Sequence, residues 1–233
     1  MSDTRKVSIV IPTYNRFQFT VDSFSKILND DRVHGVYITD DCSTDDSYQK
    51  LTDFFSDNEK VHLFRNEKNI DCYFNKHKAM ENAEGEWCIL FDSDNVIGID
   101  YLDAIFAIQE WMDNVVYQPH YARPHFDFRP HSGLYLTKKN ISTYIYTNLE
   151  TALNAMNFFI NRAEYLRIWD GSIDPITSDS IFFNYCWLKS GNHILITPGL
   201  EYDHLCHEGH YFHNYKKAIG FHNFLLKEIS ILR

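Results

Sequence analysis

Over roughly its first 110 residues the chain alternates short β-branched runs with segments of helical periodicity, and few folds satisfy that alternation. "KVSIVIP" reads as a strand buried on both faces, because its apolar residues do not alternate with polar ones. In "QFTVDSFSKIL", Phe19, Phe24, Ile27 and Leu28 fall near helical spacing. "VHGVYIT", "VHLFR" and "EWCILF" repeat the strand pattern. "STDDSYQKLTDFF", "YFNKHKAMENA" and "YLDAIFAIQEWM" repeat the helical one, the second halted near Gly85. Strands and helices in such alternation make βαβ units around a mainly parallel sheet flanked by helices. Right-handed crossovers then bring the loops that follow the strands to one edge, where open α/β sheets bind their ligands.

Three polar stretches follow strands and should therefore meet: "PTYN" (Pro12 to Asn15), "DDCSTD" (from Asp40 and Asp41) and "DSDN" (Asp92, Ser93, Asp94, Asn95). Two like charges at the end of a buried strand do nothing for stability by themselves. Asp92 and Asp94 share one side of an extended segment, and their hard oxygens suit Mg²⁺ or Mn²⁺. A solvated helix-capping turn is the plain alternative for "DSDN", and Ser43, Thr44 and Asp45 are likewise cap-type residues.

Composition narrows the rest. With 233 residues the chain can bury a large core and is read as one domain, 1–233, with halves 1–115 and 116–233. A formal charge of −10 argues against nucleic acid as a partner. Five cysteines without a CxxC pair fit a reducing compartment. "MSDTRK" lacks an apolar signal core and no apolar run approaches ~18 residues, so a cytoplasmic location is expected. There is no GxGxxG or GxxxxGK[ST] loop for phosphates.

The second half is less regular. "SGLYLTKKNISTYIY" reads as strand or loop, "SDSIFFNYCWLKSG" as a helix ended by Gly191, and "HILITPG" as a strand. Tyr117, Tyr121, Phe126, Phe128 and Tyr135 form either an acceptor platform or packing. The amphipathic tail from His213, basic at Lys216 and Lys217, either folds back on the core or rests on a membrane surface.

In order and spacing, "VSIVIPTYN", "ITDDCSTDDS" and "AEGEWCILFDSDN" resemble the family-2-type inverting glycosyltransferases with the GT-A nucleotide-sugar fold, over roughly the first 110 residues. The resemblance implies a sugar moved from a nucleoside-diphosphate sugar, expected to be UDP-linked, to the hydroxyl of a glycan or lipid-linked acceptor. It places nucleotide contacts on Pro12, Thr13, Tyr14, Asn15, Asp40, Asp41, Lys76, Asp92 and Ser93. It places Mn²⁺ or Mg²⁺ on Asp92 and Asp94 with a late imidazole, His204 or His207, and a catalytic base on Asp179. The chain departs from the family pattern where Cys42 stands for glycine and where "NIDC" lacks one. It departs again at Asn75, Lys76 and His77, which replace Ala-Arg-Asn, and at "DSDN", which replaces DSDD. A zinc site built from His204, Cys206, His207, His210 and His213 is a competing reading of the late histidines. A sugar nucleotidyltransferase and a non-catalytic nucleotide- or sugar-binding module are the competing functions.

Overall fold

The computed structural model describes residues 4–154, 157–172, 179–206 and 215–232. Strand β1 (Val7–Thr13) leads to helix α1 (Phe17–Phe24), β2 (Val33–Asp40) to α2 (Ser47–Phe54), and β3 (Val61–Arg65) to α3 (Asp71–Asn82). Strand β4 (Trp87–Leu90) and the two-residue β5 (Asn95–Val96) precede α4 (Ile99–Ala107). Then come β6 (Val115–Arg123), β7 (Phe126–Asp127), β8 (Tyr135–Leu136) and the single-turn helices α5 (Ile141–Tyr144) and α6 (Leu149–Ala152). Strand β9 (Phe158–Asn161), α7 (Arg162–Ile168), α8 (Asp179–Lys189), β10 (His193–His204) and α9 (Tyr215–Ser230) complete the described chain.

All ten strands belong to one sheet, ordered β3-β2-β1-β4-β9-β6-β10-β5, with β7 beside β6 and β8 beside β10. Strand β1 lies parallel to β2 and β4, β2 to β3, and β6 to β10. Strand β9 runs antiparallel between β4 and β6. This is the α/β architecture that the alternation implied, with a mostly parallel sheet flanked by helices.

Every residue of β1 is buried. Val7, Ile9 and Ile11 face one core, with Phe24 of α1, Leu51 of α2 and Ile105 of α4. Val10 faces the other, with Met80 of α3 and Phe183 of α8. Successive side chains point to opposite faces, so a strand between two helical layers is mostly apolar, and the buried Ser8 of β1 is satisfied by donating to the Glu84 carbonyl at 2.6 Å.

Three features depart from the expectation. Strand β6 carries Gln118, Pro119 and His120 at its centre, and that polar run hides it from a hydrophobicity reading. Strand β9 has only four residues. Strand β10 does not stop at "PG": its register against β6 shifts between Thr197 and Glu201, Gly199 takes φ +75°, and the strand continues to His204. The irregularity absorbs the proline, which cannot donate to the ladder. The stretch read as strand or loop holds β8 and α5.

Of the aromatic residues after β6 begins, Tyr117 and Phe128 are core and Tyr135 is exposed. Tyr121 lies under the Arg129 guanidinium, 4.1 Å from its ring centre. All five cysteines are free thiols. Helix α9 buries Leu225, Leu226 and Ile229 among residues of α8 and α5 and leaves Ile219 and Phe224 exposed, as is Ile231 just beyond it. Among the described residues no helix is long and apolar enough to cross a membrane.

Trp187 is fully buried, stacks on Phe183 and donates from Nε1 to the His193 carbonyl at 2.8 Å. Trp187→Ala is expected to lower the unfolding free energy by about 3–5 kcal/mol. Replacing the exposed Ile231 by Ala should change it by roughly 0.5 kcal/mol or less. Denaturant titrations of the two variants make the comparison.

Candidate active site

The strand ends converge as the topology requires. At the end of β1, Thr13 is buried with its Oγ1 2.7 Å from Thr20 Oγ1, and its carbonyl accepts from the Asp41 N–H at 2.8 Å. Pro12 is also buried, and Tyr14 stands partly exposed. Asn15, at φ +53°, ties this loop to the next. Its N–H donates to Ser43 Oγ at 2.8 Å and its Oδ1 accepts from the Thr44 N–H at 2.8 Å.

The acids after β2 are both spoken for. Asp40 is fully buried and accepts from the Ser43 N–H at 2.9 Å and from the Ser43 hydroxyl, with Arg65 Nε 3.5 Å away. Asp41 is buried and accepts at Oδ1 from Asn66 Nδ2 at 2.8 Å and from the Ile70 N–H at 2.9 Å. Asn66 Nδ2 also donates to Asn75 Oδ1 at 2.9 Å, and Asn75 Nδ2 donates to the Thr39 carbonyl at 3.1 Å. A buried polar network of this kind holds three loops in register.

The acids after β4 are arranged differently. Asp92 pairs with Lys76 Nζ at 3.1 Å, the lysine stem being buried in α3. Asp94 pairs with Arg16 Nη1 at 2.9 Å. The positive partners of this acidic pair thus include two side chains of the protein itself, one from α3 and one from the loop after β1. Ser93 between them is buried, and its Oγ has no hydrogen-bond partner among the described residues. Asn157, just before β9, accepts from the Asp92 N–H at 2.7 Å and donates to Tyr202 Oη at 3.2 Å, while its carbonyl accepts from Tyr101 Oη at 2.9 Å.

Strand β5 continues the turn and places Asn95 opposite His204 of β10. Asn95 Oδ1 accepts from the Leu205 N–H at 3.3 Å. His204 Nδ1 lies 2.9 Å from His125 Nδ1. Asp179 is the first residue of α8, and its side chain lies outside the described set, as does His207. Phe182 of α8 packs edge-on against Tyr73 of α3, which brings the first turns of α8 over the helix that carries Lys76.

Arg16 and Asn157 went unrecognised from sequence. Arg16 had a local signal, a cation directly after "PTYN". Asn157 had none, because its role depends on β9 lying antiparallel beside β4.

Two departures from the family pattern have backbone explanations. Cys42 takes φ +58° and Asp71 φ +67°, both in the left-handed region where glycine fits without strain. A third substitution sets up a ring stack: His77 lies flat on Trp169 with centroids 3.7 Å apart, and burial lowers its pKa, which favours the neutral ring.

At this sheet edge the loop after β1 and helix α3 bring basic side chains to the paired acids that follow β4. The chain belongs to glycosyl transferase family 2, whose family model matches residues 8–169. TuaG of Bacillus subtilis (strain 168), provisionally named for teichuronic acid biosynthesis, is 31% identical over 90 residues, which is 38% of this chain and 36% of that protein. The glycosyltransferase GlyG of Streptococcus pneumoniae serotype 4 is 25% identical over 117 residues, 49% of this chain and 39% of its own. These matches therefore span well under half of either relative.

Among solved structures, S. aureus TarS 1–349 in complex with UDP-GlcNAc superposes with a TM-score of 0.71 at 19% identity, over 97% of this chain and 70% of that one. The mannosyltransferase PcManGT of Pyrobaculum calidifontis, in complex with GDP-Man and Mn²⁺, gives 0.66 at 14% identity, over 99% and 65%. They share the fold of this chain.

Burial raises the Asp41 carboxyl above its ordinary range, against the hydrogen bonds from Ile70 and Asn66 that pull it down. The folded chain then holds that proton more tightly than the unfolded chain does. The resulting stabilisation is full below the unfolded value of about 3.9 and is lost as pH rises through the folded one. Asp41→Asn keeps an acceptor for both donors and removes the titration. The melting temperature of the variant relative to wild type should therefore rise with pH across that window, as measured by a thermal-melt series.

Proposed function

We propose that this chain moves a sugar from a nucleoside-diphosphate sugar, UDP-linked in the expected form, to an acceptor hydroxyl with inversion at the anomeric carbon. The observation that carries the reading is the pairing of Asp92 with Lys76 and of Asp94 with Arg16 at the mouth of β4. Both pairs sit where the β1 and β2 loops supply partly exposed groups, Tyr14 among them. A diphosphate arriving there meets cations held in place by carboxylates that it can partly relieve of them.

The donor set fits a hard divalent cation. Asp92 and Asp94 offer carboxylate oxygens, and Ser93 Oγ between them is buried without a partner among the described residues. Asp92, Asp94 and a late imidazole, His204 or His207, would hold Mn²⁺ or Mg²⁺. Such an ion, when bound, neutralises charge developing on the leaving diphosphate. PcManGT and GalNAc-T7, both solved with Mn²⁺, support that assignment.

The chain's own groups divide the remaining work. Thr13, Tyr14, Asn15 and Asp41 bound the nucleotide, with Pro12 and Asp40 shaping their loops. Lys76 offers a cation to the diphosphate. Asp179, at the head of α8, takes the proton from the acceptor hydroxyl as its oxygen bonds to the anomeric carbon. The bond from that carbon to the phosphate oxygen breaks, and nucleoside diphosphate leaves. A single displacement of this kind inverts configuration. In this reading residues 1–115 of one domain, 1–233, hold the donor and residues 116–233 hold the acceptor.

The test is release of nucleoside diphosphate from a panel of nucleotide sugars with Mn²⁺ or Mg²⁺ and glycan or lipid-linked acceptors. Asp94→Ala is expected to lower turnover by about 10²–10³-fold, and Asp179→Asn by about 10²–10⁴-fold. Wild-type turnover in either variant removes that residue's role. Pyrophosphate formed from a nucleoside triphosphate would instead mark a nucleotidyltransferase, and nucleotide binding without transfer would mark a binding module.

A lipid-linked acceptor agrees with the exposed Ile219 and Phe224 of α9 and Ile231 just beyond it, apolar side chains that offer peripheral contact with a membrane from the cytoplasmic side. Full-length protein should float with anionic liposomes, and protein ending before residue 215 should not. Equal flotation of the two would remove the role of α9 in membrane contact.

A further inference from the structure

Beside the donor edge, a second cluster gathers three ligand-type side chains that the proposed transfer does not use as a set. His125, His204 and Cys206 present ligand atoms that all lie within 4.8 Å of one another, and among the described residues they alone form such a trio of His, Cys, Asp or Glu. The tertiary fold assembles them from positions 81 residues apart. His125 caps the tight turn between β6 and β7, where its N–H donates to the Ala122 carbonyl at 2.9 Å. Strand β6 pairs in parallel with β10 up to Arg123 and Asp203, so the turn lies directly against the end of β10. His204 ends that strand, and Cys206 follows two residues later.

The distances are those of a coordination triangle. His204 Nδ1 and His125 Nδ1 are 2.9 Å apart, and Cys206 Sγ is 3.9 Å from each of them. Tetrahedral zinc with Zn–N near 2.0–2.1 Å and Zn–S near 2.3 Å sets edges of about 3.3 Å for N···N and about 3.6 Å for N···S. Shifts of about 0.3–0.4 Å therefore convert one triangle into the other, and two of the three residues lie on the surface where such shifts are easy.

We propose that His125, His204 and Cys206, the three ligands among the described residues, form a zinc site separate from the carboxylate site at Asp92 and Asp94, for which His207 is then the late imidazole. One thiolate and two imidazoles select a borderline-soft ion such as Zn²⁺, whereas the aspartate pair selects Mn²⁺ or Mg²⁺. Zinc here ties the β6–β7 turn to the end of β10. The other edge of β10 carries β5, so the clamp steadies the turn that holds Asp92 and Asp94. The site stands whether or not the chain transfers sugar.

The experiment uses full-length protein stripped with a chelator, equilibrium dialysis against Zn²⁺ with metal quantification, and Co²⁺ as a spectroscopic probe. One equivalent of Zn²⁺ should bind, Co²⁺ should give a thiolate-to-metal charge-transfer band, and excess Mn²⁺ should not displace zinc. Cys206→Ser should abolish the band, and both it and His125→Ala should weaken zinc binding by about tenfold or more. Asp94→Ala should leave zinc binding unchanged while the donor-side ion is lost. The proposal is overturned if wild type retains no zinc, if Cys206→Ser binds it with full affinity, or if Asp94→Ala abolishes the binding. Failure of sugar transfer with zinc binding intact would count against the donor reading alone.

Discussion

A strand buried on both faces can show its chemistry only at its ends, and the rest of this molecule follows from that. Strands β1 and β4 lie inside the sheet with helices over both faces, and none of their residues is exposed. Their side chains are mostly apolar and fill two cores. Polar residues are displaced to the point where each strand leaves the sheet, and parallel pairing sends those points to the same edge. The clustering of Thr13, Asp40, Asp41, Asp92 and Asp94 is thus a consequence of how the core is filled, before any ligand is considered.

The four acids at that edge solve the problem of negative charge in two ways. Asp40 and Asp41 are buried, Asp40 accepting from the Ser43 N–H and hydroxyl and Asp41 accepting at Oδ1 from Asn66 and Ile70, so they fasten the loops after β2 and β3. Asp92 and Asp94 rest on closer side-chain cations, at 3.1 and 2.9 Å against 3.5 Å for Arg65 at Asp40. Backbone donors are fixed in place and hold a loop's shape, whereas Lys76 and Arg16 are long and can be redirected when a more highly charged partner arrives. The first arrangement favours rigidity and the second exchange.

Periodicity made the first half legible. Four strands and the helices between them were readable because each strand is a short run rich in apolar and β-branched residues and is followed by cap or turn residues. The second half was harder for physical reasons. Strand β6 is buried yet carries Gln118, Pro119 and His120, and the neighbouring strands rather than its own residues make that tolerable. Strand β9 is too short to show a period. Strand β10 crosses a Pro-Gly pair through an irregularity, where the pair by itself reads as the end of a strand. Of the site, the Asp pairs could be read off the chain, whereas Asn157 and His125 could not, since each matters only through a partner far away in sequence.

By itself the sequence determined the alternation, the sheet type and the acidic strand ends, because burial on two faces leaves a local imprint in residue type. Tertiary structure alone decided which cations face which acids, which loop fastens which, and that His125 meets His204 and Cys206. Those outcomes depend on strand order, register and one bulge. They are set by packing between distant segments, and nothing within a short window of residues encodes them.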